Sequence, residues 1–275
     1  MTVVAIWRGD GGFLWAAADT RITVEGSGGG RTIRTDAASK LLALPVVCMP
    51  IRQMPGTKYV PHWQGRFGFA FAGDTLPAMM TYATAIAILS DLQSNNTDPP
   101  SLRDIADALK KLGTRFGRDA AQGRNQSKLP FEAAVFGWCP SLRDYAVYAL
   151  RPGIDDPLQL KIEEIRPHPT GPIVVLGSGG AELIGEVDKL RGHSSVALGS
   201  LPRGVLAKMV ADAGHAEEVG GSVSYGRANA GNFELALRAE VTPEGPIGYV
   251  TFNNINVAEE IGSLGGYRIG MLAVR

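Results

Sequence analysis

Short apolar runs separated by turn residues occupy the first 75 residues of the chain. The run Thr2-Val3-Val4-Ala5-Ile6-Trp7 predicts a strand, Gly11-Gly12 predicts a turn, and residues 13–19 predict a returning strand that ends in charged residues. Runs of the same kind predict further strands at 31–35, 40–45 and 65–72.

Two helices are predicted next. Thr75, as an N-cap before Pro77, begins a helix that ends near Leu92. Ser101 and Asp104 resemble a capping box that begins a second helix. Apolar residues at helical spacing continue this helix to a polar connection at 118–130; they are Ile105, Leu109, Leu112 and Phe116.

The second half of the chain repeats this order. Strands are predicted at 132–138, 144–150, 158–166 and 172–177. Gly177-Ser178-Gly179-Gly180 then leads into helices at 181–190 and 203–213. The last predicted strands are 221–226, 233–241, 246–252 and 267–274.

This order of elements predicts the architecture. Adjacent strands joined by tight turns favour antiparallel sheets. Two such sheets face to face, each covered outside by a helix pair, would bury every apolar face. We therefore predict an α+β fold, a four-layer αββα sandwich that forms a single domain over residues 1–275. A glycine-rich tip at 26–30 and a long loop at 47–64 interrupt this plan, and the loop is either functional or a tolerated surface insertion.

The charge, the apolar runs and the cysteine and histidine content exclude several classes of partner and site. The formal net charge is +0, and no basic run exceeds a pair, so neither nucleic acid nor an anionic membrane is an expected partner. No apolar run reaches the roughly 18 residues that a membrane span needs, and Arg8 and Asp10 argue against a signal peptide. The two cysteines and four histidines have no metal spacing, so we expect no metal, no cofactor and a cytoplasmic location.

The candidate chemistry lies at Thr2. Once Met1 is removed, Thr2 would carry both a hydroxyl nucleophile and an α-amine base. An ordinary α-amine has a pKa of about 7.7–8.0, and a nearby buried cation would lower it. Lys40 is the candidate cation and Asp19 its partner, while the Gly73 amide, at a strand-to-helix turn, is the candidate oxyanion donor.

Each of these residues also has a simpler interpretation. Asp19 and Arg21 would form an ordinary ion pair at a strand end, and Lys40 would be an edge lysine that discourages sheet association. Gly73 would be a plain glycine at a helix start. The order and context of the residues together favour the catalytic interpretation.

Several segments resemble the proteasome β-subunit and HslV-type peptidase family of N-terminal-nucleophile hydrolases. They are Thr2, Ala17-Ala18-Asp19-Thr20-Arg21, Ser39-Lys40-Leu41, Phe71-Ala72-Gly73-Asp74-Thr75 and Gly177-Ser178-Gly179-Gly180. The resemblance implies the αββα fold, Thr2 as nucleophile and base, and Asp19 and Lys40 as the pair that tunes it. It also implies Gly73 as oxyanion donor and Ser178 as a hydrogen-bonding partner of the α-amine.

The resemblance also implies a peptide-binding pocket. Its walls would be shaped by Ile22, Ala38, Leu42, Phe71 and Thr75, and the main chain of Thr23, Gly73 and Thr75 would pair with an extended peptide. The alternative for the apolar positions is ordinary core. The family usually carries Asp-x-x-Ser-Gly-Gly near its last sheet, whereas this chain has Ala216-Glu217-Glu218-Val219-Gly220-Gly221. Either Glu217 or Glu218 replaces the missing aspartate, or the support of the nucleophile is weaker than in the family.

The sequence therefore predicts a threonine-type peptidase that acts on peptides or unfolded proteins. We expect no propeptide before Thr2 and removal of Met1 by methionine aminopeptidase. Related proteins imply a homo-oligomer, such as a ring with a shielded chamber, and an ATP-dependent unfoldase as a further partner. Two alternatives remain open: a small-molecule amidase or acylase that uses the same Thr2, and a catalytically silent assembly subunit.

Overall fold

The computed structural model describes residues 2–25, 31–51, 60–192, 197–212, 219–242, 245–263 and 269–274. It divides into two compact units. The first unit comprises Met1–Leu42, His168–Arg227 and Glu234–Arg275, and the second comprises Ala43–Pro167 and Ala228–Phe233.

Within the described ranges the chain forms strands and four α-helices. The strands are β1 (Val4–Arg8), β2 (Leu14–Asp19), β3 (Ile22–Glu25), β4 (Arg31–Thr35), β5 (Leu41–Met49), β6 (Trp63–Gly73), β7 (Leu92–Gln93), β8 (Phe131–Cys139), β9 (Asp144–Pro152), β10 (Leu160–Ile165), β11 (Val174–Leu176), β12 (Val223–Ala228), β13 (Phe233–Thr242), β14 (Gly245–Phe252), β15 (Ile255–Asn256) and β16 (Leu272–Val274). The helices are α1 (Thr75–Leu89), α2 (Leu102–Gly123), α3 (Gly180–Arg191) and α4 (Leu201–Ala211).

The sheet of the first unit has the order β11-β1-β2-β12-β13-β14-β15, with β16 paired to β13. Strand β1 is antiparallel to both β2 and β11, which places the start of the chain inside the sheet. Helices α3 and α4 pack on each other, and their buried residues join a core that includes Trp7, Leu183 and Leu206. Strands β3 and β4 form a separate two-stranded hairpin.

The sheet of the second unit has the order β10-β9-β8-β6-β5-β7, and helices α1 and α2 pack against it. Phe69, Phe71 and Phe136 are buried in its strands. Helix α2 begins with a capping box, because the Ser101 hydroxyl accepts from the Asp104 amide while the Asp104 carboxylate accepts from the Ser101 amide. This unit is therefore a mostly antiparallel sheet with a helix pair on it, as the first unit is.

The predicted order of the longer elements is confirmed, but some bounds and short strands differ. Helix α1 ends at Leu89 and not near Leu92, and the two-residue strands β7 and β15 were not predicted. The N-cap of α1 is Asp74, whose carboxylate accepts from the Leu76 amide, and Thr75 is the first helical residue. Helix α2 continues to Gly123, into the predicted connection, and strand β3 was missed. The ends of the predicted 47–64 loop belong to β5 and β6, whereas 52–59 and the tip 26–30 lie outside the described residues.

No helix in the described part of the chain is long and apolar enough to cross a membrane.

Candidate active site

The Lys40 ammonium lies between the Thr2 hydroxyl and the Asp19 carboxylate. Lys40 Nζ donates to Asp19 Oδ1 and Oδ2, at 2.9 Å each, and to Thr2 Oγ1 at 3.2 Å. Asp19 is 0% exposed and Lys40 is 2% exposed, while Thr2 is half-buried. Lys40 is therefore no solvent-facing edge lysine, and its ammonium group contacts both the Asp19 carboxylate and the Thr2 hydroxyl.

The register of β1 and β2 brings Thr2 and Asp19 together. Val4 pairs with Ala18, so the residue before β1 runs alongside the last residue of β2. The Val3 amide donates to Asp19 Oδ1 at 3.0 Å, and the Asp19 amide donates to the Val3 carbonyl at 3.2 Å. Asp19 is thus held beside Thr2 by the backbone of the neighbouring strand.

Burial and charge oppose each other at this pair. Burial lowers the pKa of Lys40, and the Asp19 carboxylate counteracts this through its charge and its hydrogen bonds. Burial raises the pKa of Asp19, against the Lys40 charge and the donors Val3 N, Lys40 Nζ and Arg21 N. Each partner therefore depends on the other to stay ionised, and loss of either one would leave an uncompensated buried charge.

Ser178 lies on the other side of the first strand. Strand β11 is antiparallel to β1, with Val4 opposite Leu176, so the residues after β11 continue beside Thr2. The Gly179 amide donates to the Thr2 carbonyl at 3.4 Å, and Ser178 itself is exposed. The Gly177-Gly180 turn therefore adjoins the backbone of Thr2.

Three predicted site residues belong to the second unit. Gly73 ends β6 with a backbone φ of +96°, and the Asp74 amide that follows it donates to the Pro130 carbonyl at 2.9 Å. Phe71 is 1% exposed within β6, and Thr75 is half-buried at the start of α1. Gly73 thus occupies the predicted strand-to-helix turn, and the placement of these three residues beside Thr2 stays a prediction.

The remaining predicted pocket residues belong to the first unit. Ile22 and Thr23 begin β3, and Leu42 is the second residue of β5. The Ala38 amide donates to the Thr20 carbonyl at 3.0 Å. All four residues are half-buried, so they leave surface for a ligand.

Sequence inspection missed one polar cluster next to the site. The Arg21 guanidinium makes a two-pronged ion pair with Asp36, through Nε to Oδ1 at 2.6 Å and Nη2 to Oδ2 at 2.9 Å. The pair could have been predicted from the β3–β4 hairpin. Ile22 pairs with Thr35, so the preceding residue, Arg21, lies opposite the following residue, Asp36. Glu217 and Glu218, the predicted substitutes for the missing aspartate, lie outside the described residues.

Within the described ranges, no group of three or more His, Cys, Asp or Glu side chains is arranged to hold a metal ion.

Comparison with solved structures shows a fold similar to that of Anbu proteins, at low sequence identity. The chain is similar to Anbu from Pseudomonas aeruginosa, solved as a helical assembly, with 16% identity, 89% of this chain and 88% of that chain covered, and a TM-score of 0.54. It is also similar to Anbu (ancestral beta-subunit) from Yersinia bercovieri, with 14% identity, 82% and 81% covered, and a TM-score of 0.53. No family model and no curated protein matches the sequence.

Proposed function

We propose that this chain is a threonine-type peptidase, an amide-bond hydrolase whose nucleophile is the Thr2 hydroxyl. The observation that carries the proposal is the buried Lys40 ammonium, 3.2 Å from Thr2 Oγ1 and paired with both oxygens of Asp19. Burial of an ammonium group costs free energy, which the Asp19 carboxylate offsets here, and buried titratable groups with a specific charge partner are frequent at functional sites. The similarity in fold to proteasome-like hydrolases supports the same function.

The proposed reaction begins once Met1 has been removed. The Lys40 charge disfavours the protonated form of the Thr2 α-amine, so the neutral amine accepts the hydroxyl proton. Thr2 Oγ1 then forms a bond to the substrate carbonyl carbon, and the Gly73 amide stabilises the oxyanion. The C–N bond breaks as the amine returns the proton to the leaving group, and water hydrolyses the resulting ester. Ser178 would orient the α-amine through a hydrogen bond.

We further propose that an extended peptide is the substrate. The main chain of Thr23, Gly73 and Thr75 would pair with it, and Ile22, Ala38, Leu42, Phe71 and Thr75 would contact its side chains. This requires the two sheets to stack in one domain as a four-layer αββα sandwich.

A cytoplasmic homo-oligomer is part of the proposal, with an ATP-dependent unfoldase as a further partner. Helix α1, with the sequence TLPAMMTYATAIAIL, carries no charged residue, although Leu76, Met80 and Ile88 are 63%, 43% and 50% exposed. A helix that is apolar on all sides is ordinarily buried. Its outer face is therefore a candidate subunit contact.

The Met80→Glu variant tests this oligomer. A carboxylate in an apolar contact would be desolvated without a partner, so the variant should dissociate into smaller species. Sedimentation velocity of the wild-type protein and the variant at matched concentrations measures this. The control is Asp107→Asn on α2, where a half-buried aspartate pairs with Arg103; this variant should sediment as the wild type does. An oligomer that Met80→Glu leaves intact would place the subunit contacts elsewhere.

The central experiment is intact-mass analysis before and after treatment with a peptide epoxyketone. This reagent closes a ring with both the hydroxyl and the α-amine of an N-terminal threonine, so it reports on the whole proposed arrangement. We expect the mass of a chain without Met1, a single adduct, and no adduct in Thr2→Ala. A chain that begins at Thr2 and forms no adduct would contradict the peptidase and favour a silent assembly subunit. A panel of peptide and acyl-amide substrates then separates a peptidase from a small-molecule amidase.

A further inference from the structure

The base of the β3–β4 hairpin is closed by side chains that flank the Asp19–Lys40 pair. Beyond the Arg21–Asp36 ion pair, the Thr20 hydroxyl donates to the Asp36 carbonyl at 2.5 Å. The Ala38 amide donates to the Thr20 carbonyl at 3.0 Å. Thr20 directly follows Asp19 and Ala38 is two residues before Lys40, so these bonds join the two segments that carry the pair.

The segment around Ser222, also in the first unit, forms hydrogen bonds with Thr20 at the base of the hairpin. The Thr20 amide donates to the Ser222 carbonyl at 3.0 Å, and the Ser222 amide donates to Thr20 Oγ1 at 2.7 Å. Thr20 Oγ1 thus accepts one hydrogen bond while it donates another to the Asp36 carbonyl. Both hydrogen-bonding roles of this hydroxyl are used within the cluster.

Two glycines before Ser222 make this close approach possible. A Cβ on Gly220 would lie 2.5 Å from Arg21 Cζ, so the guanidinium rests on the bare backbone there. Gly221 has a φ of +76°, and a Cβ on it would lie 2.5 Å from Thr20 Oγ1 and 2.7 Å from the Asp36 carbonyl oxygen. This Gly-Gly pair stands at the end of the stretch that lacks the family's aspartate and serine.

The cluster also acts electrostatically on the candidate site. Among the causes that lower the pKa of Lys40, burial is the largest and the Arg21 charge is a further one, against the opposing effect of Asp19. The hydrogen bond from Arg21 lowers the pKa of Asp36, so Asp36 stays ionised and offsets the Arg21 charge. Arg21 is 11% exposed and Asp36 is 35% exposed at the side chain, so solvent screens this pair less than it screens a surface pair.

We propose that the Arg21–Asp36 pair is a positioning device that holds the Asp19–Lys40 pair against Thr2. This inference rests on the proposed function of Thr2. Neither Arg21 nor Asp36 contacts the reacting atoms in this scheme. They act through the backbone of residues 20 and 36–38, which carries Asp19 at one end and Lys40 at the other, and through the Arg21 charge that Asp36 offsets.

The experiment compares three variants by steady-state hydrolysis, pH profile and thermal unfolding. Arg21→Lys keeps the charge but loses the planar two-pronged contact, Arg21→Gln removes the cation, and Asp36→Asn removes the anion. We expect kcat to fall about tenfold or more in each, with KM within about twofold, because small misplacements of catalytic groups cost that much. The control is Asp119→Asn, which breaks the exposed Arg115–Asp119 pair on α2 and should change nothing.

The pH profile separates positioning from simple structural support. In Asp36→Asn the Arg21 charge is no longer offset, so the acid limb of kcat/KM should move to lower pH. In Arg21→Gln the Asp36 charge is no longer offset, so the limb should move to higher pH, whereas Arg21→Lys should leave it in place. A merely structural pair would move the limb in neither variant, or in the same direction in both.

A second measurement does not need activity. The titration of the Lys40 ammonium, followed by NMR of its labelled ε-carbon, should shift in opposite directions in Asp36→Asn and Arg21→Gln. Absence of hydrolysis and of an epoxyketone adduct in the wild type would refute the proposed function. The Lys40 titration would then still show whether the Arg21–Asp36 pair acts on Lys40. Unchanged kcat, or a Lys40 titration identical in all variants, overturns the inference. If Arg21→Gln does not fold, the Arg21→Lys variant provides the test. A lower kcat with an unchanged thermal midpoint would support the positioning role, and an unchanged kcat would contradict it.

Discussion

Replacement of Lys40 with methionine is expected to lower kcat by a factor of roughly 10²–10⁴ and to destabilise the protein at the same time. The rate falls because no cation remains 3.2 Å from Thr2 Oγ1 to keep the α-amine neutral. The stability falls because Asp19, which is 0% exposed, loses the partner that contacts both its oxygens. An unpaired buried charge of this kind costs about 3–5 kcal/mol.

The double variant Asp19→Asn/Lys40→Met separates the two effects. Neutral asparagine has no charge to leave uncompensated, so the double variant should recover most of the free energy of unfolding that Lys40→Met loses. It should recover none of the activity. Urea unfolding and steady-state kinetics measure both quantities, after intact mass has shown that each protein begins at Thr2. The control is Lys111→Met on the exposed face of α2, which should resemble wild type in both.

A Lys40→Met protein that hydrolyses peptides at the wild-type rate would remove Lys40 from the mechanism. A Lys40→Met protein as stable as wild type would mean that Asp19 takes up a proton without cost.

Replacement of Gly73 with alanine is expected to destabilise the second unit. The φ of Gly73 is +96°, and an added Cβ would lie 2.4 Å from the Pro130 carbonyl oxygen and 2.9 Å from Phe131 Cα. These backbone atoms cannot move away cheaply, because Gly73 pairs with Phe131 across β6 and β8 and the Pro130 carbonyl accepts from the Asp74 amide. Backbone strain and overpacking cost about 1–3 kcal/mol each, so we expect a total of about 2–6 kcal/mol.

Gly185→Ala is the matched control for Gly73→Ala. Gly185 lies inside α3, and nothing lies within 4 Å of the position that its Cβ would take. The same chemical change there should stabilise the protein by about 0.5–1 kcal/mol, through the higher helix propensity of alanine. Urea unfolding of both variants checks the pair of predictions. Equal unfolding free energies for Gly73→Ala and wild type would show that the turn tolerates a side chain.

Local patterns predicted most of the elements because their causes are local. Ser101 and Asp104 form the capping box of α2 through hydrogen bonds between residues three positions apart, so a short stretch of sequence is enough to predict it. The Thr75 N-cap was wrong by one residue, since Asp74 and Thr75 are both good cap residues and the strand before them decides between them. Strand β3 was missed because Ile22–Glu25 is short and is stabilised by its pairing with β4.

In the candidate site, too, some residues could be predicted from the sequence and others could not. Thr2, Asp19, Lys40 and Gly73 were selected on residue type, order and resemblance, all of which a sequence displays. The Arg21–Asp36 pair and the hydrogen bonds between Thr20 and Ser222 were not selected. They join positions up to 202 residues apart, and no local pattern marks residues that meet only when strands pair.

The sequence by itself determined the alternation of strands and helices, the residues able to act as nucleophile, cation and carboxylate, and the glycines at turns. These follow from side-chain chemistry and from backbone preferences that act over a few residues. Only the tertiary structure decided that Lys40 is buried between Asp19 and Thr2, and that Arg21 takes Asp36 as its ion-pair partner. Distance and burial make an ion pair strong or weak, and both are set by the register of strands that are far apart in the chain.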